Sequence, residues 1–348
     1  MKSAFISTVS MTNATRSSIM DQSISLAKLQ KEVSSGRKAD VGLDLGIGTG
    51  ETISLRSEFA RLNTIIDTNA LVSSRLDVTS TAMINLRDSA QDMLSTLVSS
   101  IGSETGREVT IAEAKNDLEQ LVATLNTSFS GSYLFAGIDV SNPPLTDYYD
   151  TAGSASKTAI DASFSSYLTG IPTTIDALTP AEMENYLDTV MTTEFDNPGG
   201  WSTNWSTASD LETVNRISTS ETIETSVSAN IDPMRKLAMA FTMVAELDGA
   251  NMQQGTFDVV AQKAVSLLGE AIEGMNNAVG KVGNAQARVS KASDKLSLQT
   301  DLINTRILAL ENVDQTEVSV LLSNALTQLE VTYSVTSRMQ GMSLLNYL

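Results

Sequence analysis

Residues 283–348 read GNAQARVSKASDKLSLQTDLINTRILALENVDQTEVSVLLSNALTQLEVTYSVTSRMQGMSLLNYL, from Gly283 to Leu348. Val282, Val289, Leu296, Ile303 and Leu310 recur every seven residues through its first half, with Ala285 and Ala292 at the second position of the repeat. That spacing holds one side of a helix against a partner helix. Asp314, Gln315, Thr316 and Glu317 break the rhythm with polar residues able to cap a helix. A second seam then starts at Val318 and runs through Leu322, Ala325, Leu329 and Thr332 or Tyr333 to Met339 and Leu345. Chain ends are usually polar and frayed, but this one closes on the apolar tail Ser343-Leu344-Leu345-Asn346-Tyr347-Leu348. The segment shows an apolar face that nothing within it can cover.

The N-terminus mirrors this pattern. Ile19, Leu26 and Val33 are seven apart, with Leu29 beside them, so a helix from about Thr12 to Ser35 carries a narrow apolar stripe ended by Gly36. A glycine-rich loop, Arg37 to Thr49, follows. Leu55, Leu62, Leu76, Met83, Ala90 and Leu97 then keep one seven-residue phase, with Phe59, Ile66, Leu94 and Ile101 on the neighbouring seam position. No Gly or Pro interrupts Glu51 to Ile101, so a single helix of roughly 70 Å is expected. Gly102 to Gly106 makes a turn, and Ile111, Leu118, Leu121, Val122, Leu125 and Phe129 predict a third helix returning antiparallel and ending at Ser130-Gly131.

The composition then changes. All six prolines lie between Pro143 and Pro233, together with both tryptophans and with Tyr148, Tyr149, Phe164, Tyr167, Tyr186 and Phe195. Residues 136–230 hold fourteen Asp or Glu against Lys157 and Arg216, about two thirds of the net charge of −18. Prolines end helices and bulky aromatics fill rounded cores. Thr179-Pro180-Ala181-Glu182 reads as a capped helix start, and Thr213 to Val227 as strand. Helical patterning resumes after Pro233, with one helix over Met234 to Leu247. Another runs from Phe257 into the opening stretch, with Gly280 and Gly283 as a soft spot.

The expected architecture is mainly α: long antiparallel helical arms in a coiled-coil bundle made from both chain ends, with a small α+β domain inserted at the tip. Its boundaries fall at 1–40, 41–137, 138–230, 231–313 and 314–348, the first and last pairing as a terminal coiled coil. The residues expected to meet neighbouring subunits are Ile19, Leu26, Leu29 and Val33, then Val318, Leu322, Leu329, Tyr333, Met339, Leu344, Leu345, Tyr347 and Leu348.

Composition removes whole classes of chemistry. With no Cys and no His, thiolate and imidazole metal sites and Cys or Ser-His nucleophiles are excluded. The acidic balance argues against nucleic acid, whose phosphates need a basic face. No run of about 18 apolar residues suggests a membrane span. Ser3 to Met11 is too polar for a signal-peptide core, so export is expected by a route that cleaves no such leader.

Four short motifs carry a resemblance. Tyr133-Leu134-Phe135-Ala136-Gly137, within residues 132–144, resembles a signature found after the third helix of the hook-associated branch of the flagellin superfamily. Leu29-Gln30 through Ser34-Ser35-Gly36-Arg37 is similar to that superfamily's N-terminal stretch. Glu311-Asn312-Val313-Asp314-x-x-Glu317 and the Ser-Leu-Leu-Asn-Tyr-Leu terminus resemble its C-terminal helix. The resemblance covers roughly 1–140 and 234–348. It departs at 38–50, where the family often has a Ser-x-Asp-Asp-Pro turn.

The resemblance implies a self-assembling axial subunit of the bacterial flagellum at the hook–filament junction, secreted through the type III export apparatus and located outside the cell. Its implied partners are copies of itself in a ring, the other hook-associated junction protein, flagellin, and an export chaperone covering the C-terminal helix. No cofactor, membrane or catalytic residue is implied. Flagellin itself is the alternative within the family.

An enzymatic reading hangs on Asp44-Leu45-Gly46-Ile47-Gly48-Thr49-Gly50-Glu51, which looks like the nucleotide loop of S-adenosylmethionine methyltransferases, with Asp67 downstream. That motif requires a buried strand before it and strand–helix alternation after it. Here Ser34-Ser35-Gly36-Arg37-Lys38 precedes it and a long helix follows, so a surface loop is expected instead.

Overall fold

A computed structural model of the chain describes residues 8–103, 106–150, 153–171 and 173–341. Ten α-helices occur in chain order among them: α1 (Thr8–Ser35), α2 (Val41–Leu45), α3 (Thr49–Ser100), α4 (Arg107–Leu125), α5 (Ala155–Gly170), α6 (Pro180–Tyr186), α7 (Thr192–Glu194), α8 (Asp232–Glu246), α9 (Gln254–Glu311) and α10 (Gln315–Gly341). Two small antiparallel hairpins accompany them. β1 (Ser128–Phe129) pairs with β2 (Ser132–Tyr133), and β3 (Val214–Arg216) pairs with β4 (Thr222–Glu224). The chain divides into two compact units, residues 1–63 with 297–348 and residues 64–296. The helices α3 and α9 contribute to both.

Long antiparallel helices dominate, as the seven-residue repeats require, and α9 passes through Gly280 and Gly283 without a break. The predicted loop after α1 is more structured than its glycines suggest. Asp40 caps the short helix α2 by accepting from Leu43 N at 3.0 Å, and a 3-10 turn, Gly46–Gly48, joins α2 to α3. The third helix stops at Leu125 rather than at Ser130, because Asn126 turns its side chain to the backbone of Leu145 and frees the chain to form the β1–β2 hairpin.

The unit 64–296 holds a continuous hydrophobic core. Leu76, Met83, Ala90 and Leu97 are its α3 seam, Leu118, Leu121 and Leu125 its α4 seam, and α8 and α9 close it. Aromatic residues of the proline-containing segment join the same core. Trp201 stacks on Trp205 with ring centroids 5.5 Å apart, and Tyr148 stacks on Trp205 at 5.1 Å. The Thr179 start is a capping box, its hydroxyl accepting from Glu182 N while the Glu182 carboxylate accepts from Thr179 N. The strand expected over Thr213 to Val227 is the β3–β4 hairpin.

One seam position departs from the apolar pattern. Asn69 falls midway between Leu62 and Leu76 and is fully buried. It donates to the Ile217 carbonyl at 2.9 Å and to Ser293 Oγ at 3.1 Å, fixing the β3 end against α3 and α9.

Candidate assembly interface

In the unit formed by residues 1–63 and 297–348, α1 and α10 pack along one another. Their direction is set by a stitch of backbone bonds: Lys38 N donates to the Glu311 carbonyl at 2.8 Å and Val313 N to the Gly36 carbonyl at 3.1 Å. The end of α1 therefore meets the start of α10, and the helices run antiparallel. Gly36 sits at φ +68°, the left-handed conformation in which a helix commonly terminates on glycine.

Glu311 is the hub of this junction. Its side chain is fully buried and accepts two hydrogen bonds from Arg56, Nε at 2.7 Å and Nη2 at 2.6 Å, with Arg37 at 3.9 Å. The bidentate Arg56 fork, aided by Arg37, holds the Glu311 carboxyl below its ordinary range. Asp314 starts α10 by accepting from the backbone N–H groups of Thr316 and Glu317, which lower its pKa as well. The Glu-Asn-Val-Asp-x-x-Glu motif is thus an interruption with a purpose: it ends α9, binds the α1 turn and restarts the helix.

The seam residues divide by position. Ile19, Leu26, Leu29 and Val33 are half-buried on one side of α1, and Leu322, Ala325 and Leu329 on one side of α10, with Val318 buried. These are the sides that lose solvent in a pair packed within one chain. Tyr333 lies off this line and is 53% exposed, Thr332 taking the seam place. Met339 belongs to α10, but its side chain lies outside the described residues, as do Leu344, Leu345, Tyr347 and Leu348.

The open apolar surface lies elsewhere. On α10, Val320, Val331 and Val335 are exposed and fall within about 60° of one another at 3.6 residues per turn, opposite the Val318–Leu322–Leu329 side. Leu321 flanks them, and on α1 Met20 and Ile24 are exposed one turn apart. This second stripe was legible in the spacing of 11 and then 4 residues along α10, but the stronger seam masks it. Among the described residues of α1 and α10, Val318 is the one fully buried apolar side chain. A pair with so little core is marginal alone, while each outward aliphatic would contribute about 1.5–3 kcal/mol if fully buried by a neighbour.

The Tyr133–Gly137 signature is in the other unit and is a clasp. Arg75 Nη2 donates to the Tyr133 carbonyl at 2.9 Å, Ala229 N to the Phe135 carbonyl at 2.8 Å and Ser209 N to the Ala136 carbonyl at 3.1 Å. Ala136 also bridges Ser228. Leu134, Phe135 and Ala136 are buried. Gly137 has φ +65°, and a Cβ there would lie 2.4 Å from the Ser209 carbonyl oxygen and 2.6 Å from that of Leu211. The motif ties the start of the proline-containing segment to its end.

The glycine-rich stretch 44–51 occupies the end of α2, the 3-10 turn and the start of α3, with α1 before it and no strand. The strand-first context of a nucleotide loop is missing. Among the described residues no helix is long and apolar enough to cross a membrane.

Comparison with known proteins places both ends of the chain. Residues 6–139 match the bacterial flagellin N-terminal helical region and residues 265–348 the bacterial flagellin C-terminal helical region. Solved structures that share the fold include two flagellar chains. One is a Vibrio parahaemolyticus chain described as a flagellar hook-associated protein, with TM-score 0.52 and 10% identity over 75% of this chain and 96% of that one. The other is Bacillus cereus FlgL, with TM-score 0.50 and 11% identity over 73% of this chain and 98% of that one. No curated protein matches the sequence.

Proposed function

Since the chain belongs to the bacterial flagellin family, matched at both helical ends, and is a structural component of the flagellum, we propose that it is a self-assembling axial subunit of the hook–filament junction. The observation that carries this is the α1–α10 pair, which buries one fully apolar side chain internally while Val320, Val331 and Val335 stand open on its outer side. Copies laid side by side would cover that stripe, so folding of the ends is linked to assembly. Repeated heterologous contact of this kind yields a ring or an open tube.

Within that reading the partners are copies of itself in a ring, the other hook-associated junction protein and flagellin. An export chaperone would cover the C-terminal helix before assembly. The subunit acts outside the cell, after type III export, as a structural protein without catalytic residues. Residues 138–230 act as an insert bounded by 41–137 and 231–313, while 1–40 and 314–348 form the terminal coiled coil. The junction role is favoured by the fold shared with hook-associated proteins and by the Tyr133–Gly137 clasp.

The alternative within the family is a filament subunit, since the matched regions are named for flagellin. Seeding separates the two. Purified chain added to hook ends should form a short, bounded layer; growth into long filaments from filament seeds would assign it to the filament.

A further inference from the structure

Beside the β3–β4 hairpin, in the unit 64–296, lies a cleft of about 320 Å³. Leu76, Val282 and Ala285 are among its apolar lining, and Glu212 and Glu224 stand on its hairpin wall. The register Val214↔Glu224 puts Glu212, Val214 and Glu224 on the same face of the hairpin. The two carboxyls are close enough to interact, and burial together with Glu224 raises the Glu212 pKa. Arg288, across the cleft, is bound to Glu221 at 2.8 Å, which leaves Lys281 as the cation that eases the pair. Two carboxylates against one ammonium on an apolar floor suit an aliphatic group carrying one positive charge.

This chain displays such a group in its other unit. The α2 turn is held by the Asp40 cap and by Thr49 Oγ1 donating to the Gly42 carbonyl at 2.9 Å. It nevertheless points two large aliphatics into solvent, with Leu43 at 78% and Ile47 at 103% exposure. Residues 26–38 supply Lys28, Lys31, Arg37 and Lys38 against Glu32 alone. Lys28 is bound to Asp44 at 2.7 Å and Arg37 faces Glu311, while Lys38 acts on Asp44 from nearby. Among the described residues Lys38 makes no ion pair.

We propose that the 40–48 turn of one copy seats in the Glu212–Glu224 cleft of the next, with Leu43 and Ile47 on its apolar floor and Lys38 between the two carboxylates. The inference rests on the self-assembly reading and specifies one contact within it. The contact is heterologous, turn to cleft, and so propagates from copy to copy. The turn is preorganised, so little conformational entropy is lost on seating.

The chain has no cysteine, which makes crosslinking unambiguous. Full-length Ile47→Cys and Ala285→Cys chains are mixed, assembled on hook ends and oxidised, with sedimentation reporting assembly independently. The proposal expects a disulfide dimer from the mixture and none from either variant alone. Adding Glu212→Lys and Glu224→Lys to the cleft partner should lower dimer yield at least about tenfold, and Lys38→Glu in the turn partner should restore it to within about twofold, the fold-changes expected of paired charges. Material that sediments but gives no dimer, or a yield indifferent to the charge changes, overturns the turn-to-cleft contact and leaves the assembly reading standing. Unsubstituted chain that fails to sediment on hook ends overturns both.

Discussion

Gly137 shows how a single residue carries a motif. Its positive φ and its close approach to the Ser209 and Leu211 carbonyls leave no space for a side chain. Gly137→Ala should destabilise the unit 64–296 by about 2–4 kcal/mol, read by urea unfolding through Trp201 and Trp205, both buried in that unit. An unchanged midpoint would show that the clasp yields easily.

Two carboxyls, the buried Glu311 and the half-buried Asp117, give opposite pH responses. Glu311 has a lowered pKa, so its contribution is complete above the unfolded value of about 4.5 and disappears as pH falls through the folded one. Asp117 is raised to about 6, chiefly by burial and despite the 2.8 Å hydrogen bond from Ser89. The folded state there binds the proton more tightly than the unfolded state. Stability therefore falls as pH rises from about 4 to about 6. Asp117→Asn should flatten tryptophan-monitored stability across that window, whereas Glu311→Gln should remove the acid sensitivity of the α1–α10 junction, seen by hydrogen exchange at Lys38 and Val313.

At the scale of elements, the two sides of α10 should be separable by mutation. Val331→Asp changes an exposed position, so unfolding of the unit 64–296 should move by less than about 0.5 kcal/mol while assembly on hook ends is lost. Val318→Ala removes the buried apolar contact of the terminal pair and should loosen α1 and α10 in the unassembled chain. Equal effects of both variants on assembly and on monomer exchange would mean that the outer stripe has no separate role.

Seven-residue spacing made the helices legible because a seam must recur to stay on one side, and α1, α3, α9 and α10 obey it over many turns. Their neighbours were harder. The β1–β2 hairpin was hidden because Ser128 to Tyr133 is too short to show alternation, and the capped α2 because glycines suggest mobility where Asp40 supplies a cap. Asn69 was hidden among leucines, its purpose visible only once Ile217 and Ser293 are placed beside it. For the interface, periodicity found the stronger stripe, Val318 to Leu329, but no spacing tells whether a stripe faces its own chain or another. Burial showed that the weaker stripe is the open one.

For the whole molecule, the two units differ in how complete they are. Residues 64–296 bury Trp201, Trp205, Tyr148, Phe135 and Phe241 in a continuous core. The α1–α10 pair has Val318 and an outward apolar side. Completion of the chain ends by neighbouring subunits is therefore the central claim, and hydrogen exchange of the full chain, free and assembled on hook ends, tests it most directly. The amides of 12–33 and 318–335 should exchange within seconds to minutes in free chain and slow at least about a hundredfold on assembly, while those of α4 and α8 stay protected throughout. Equal protection of the terminal helices in the free and assembled states would contradict it.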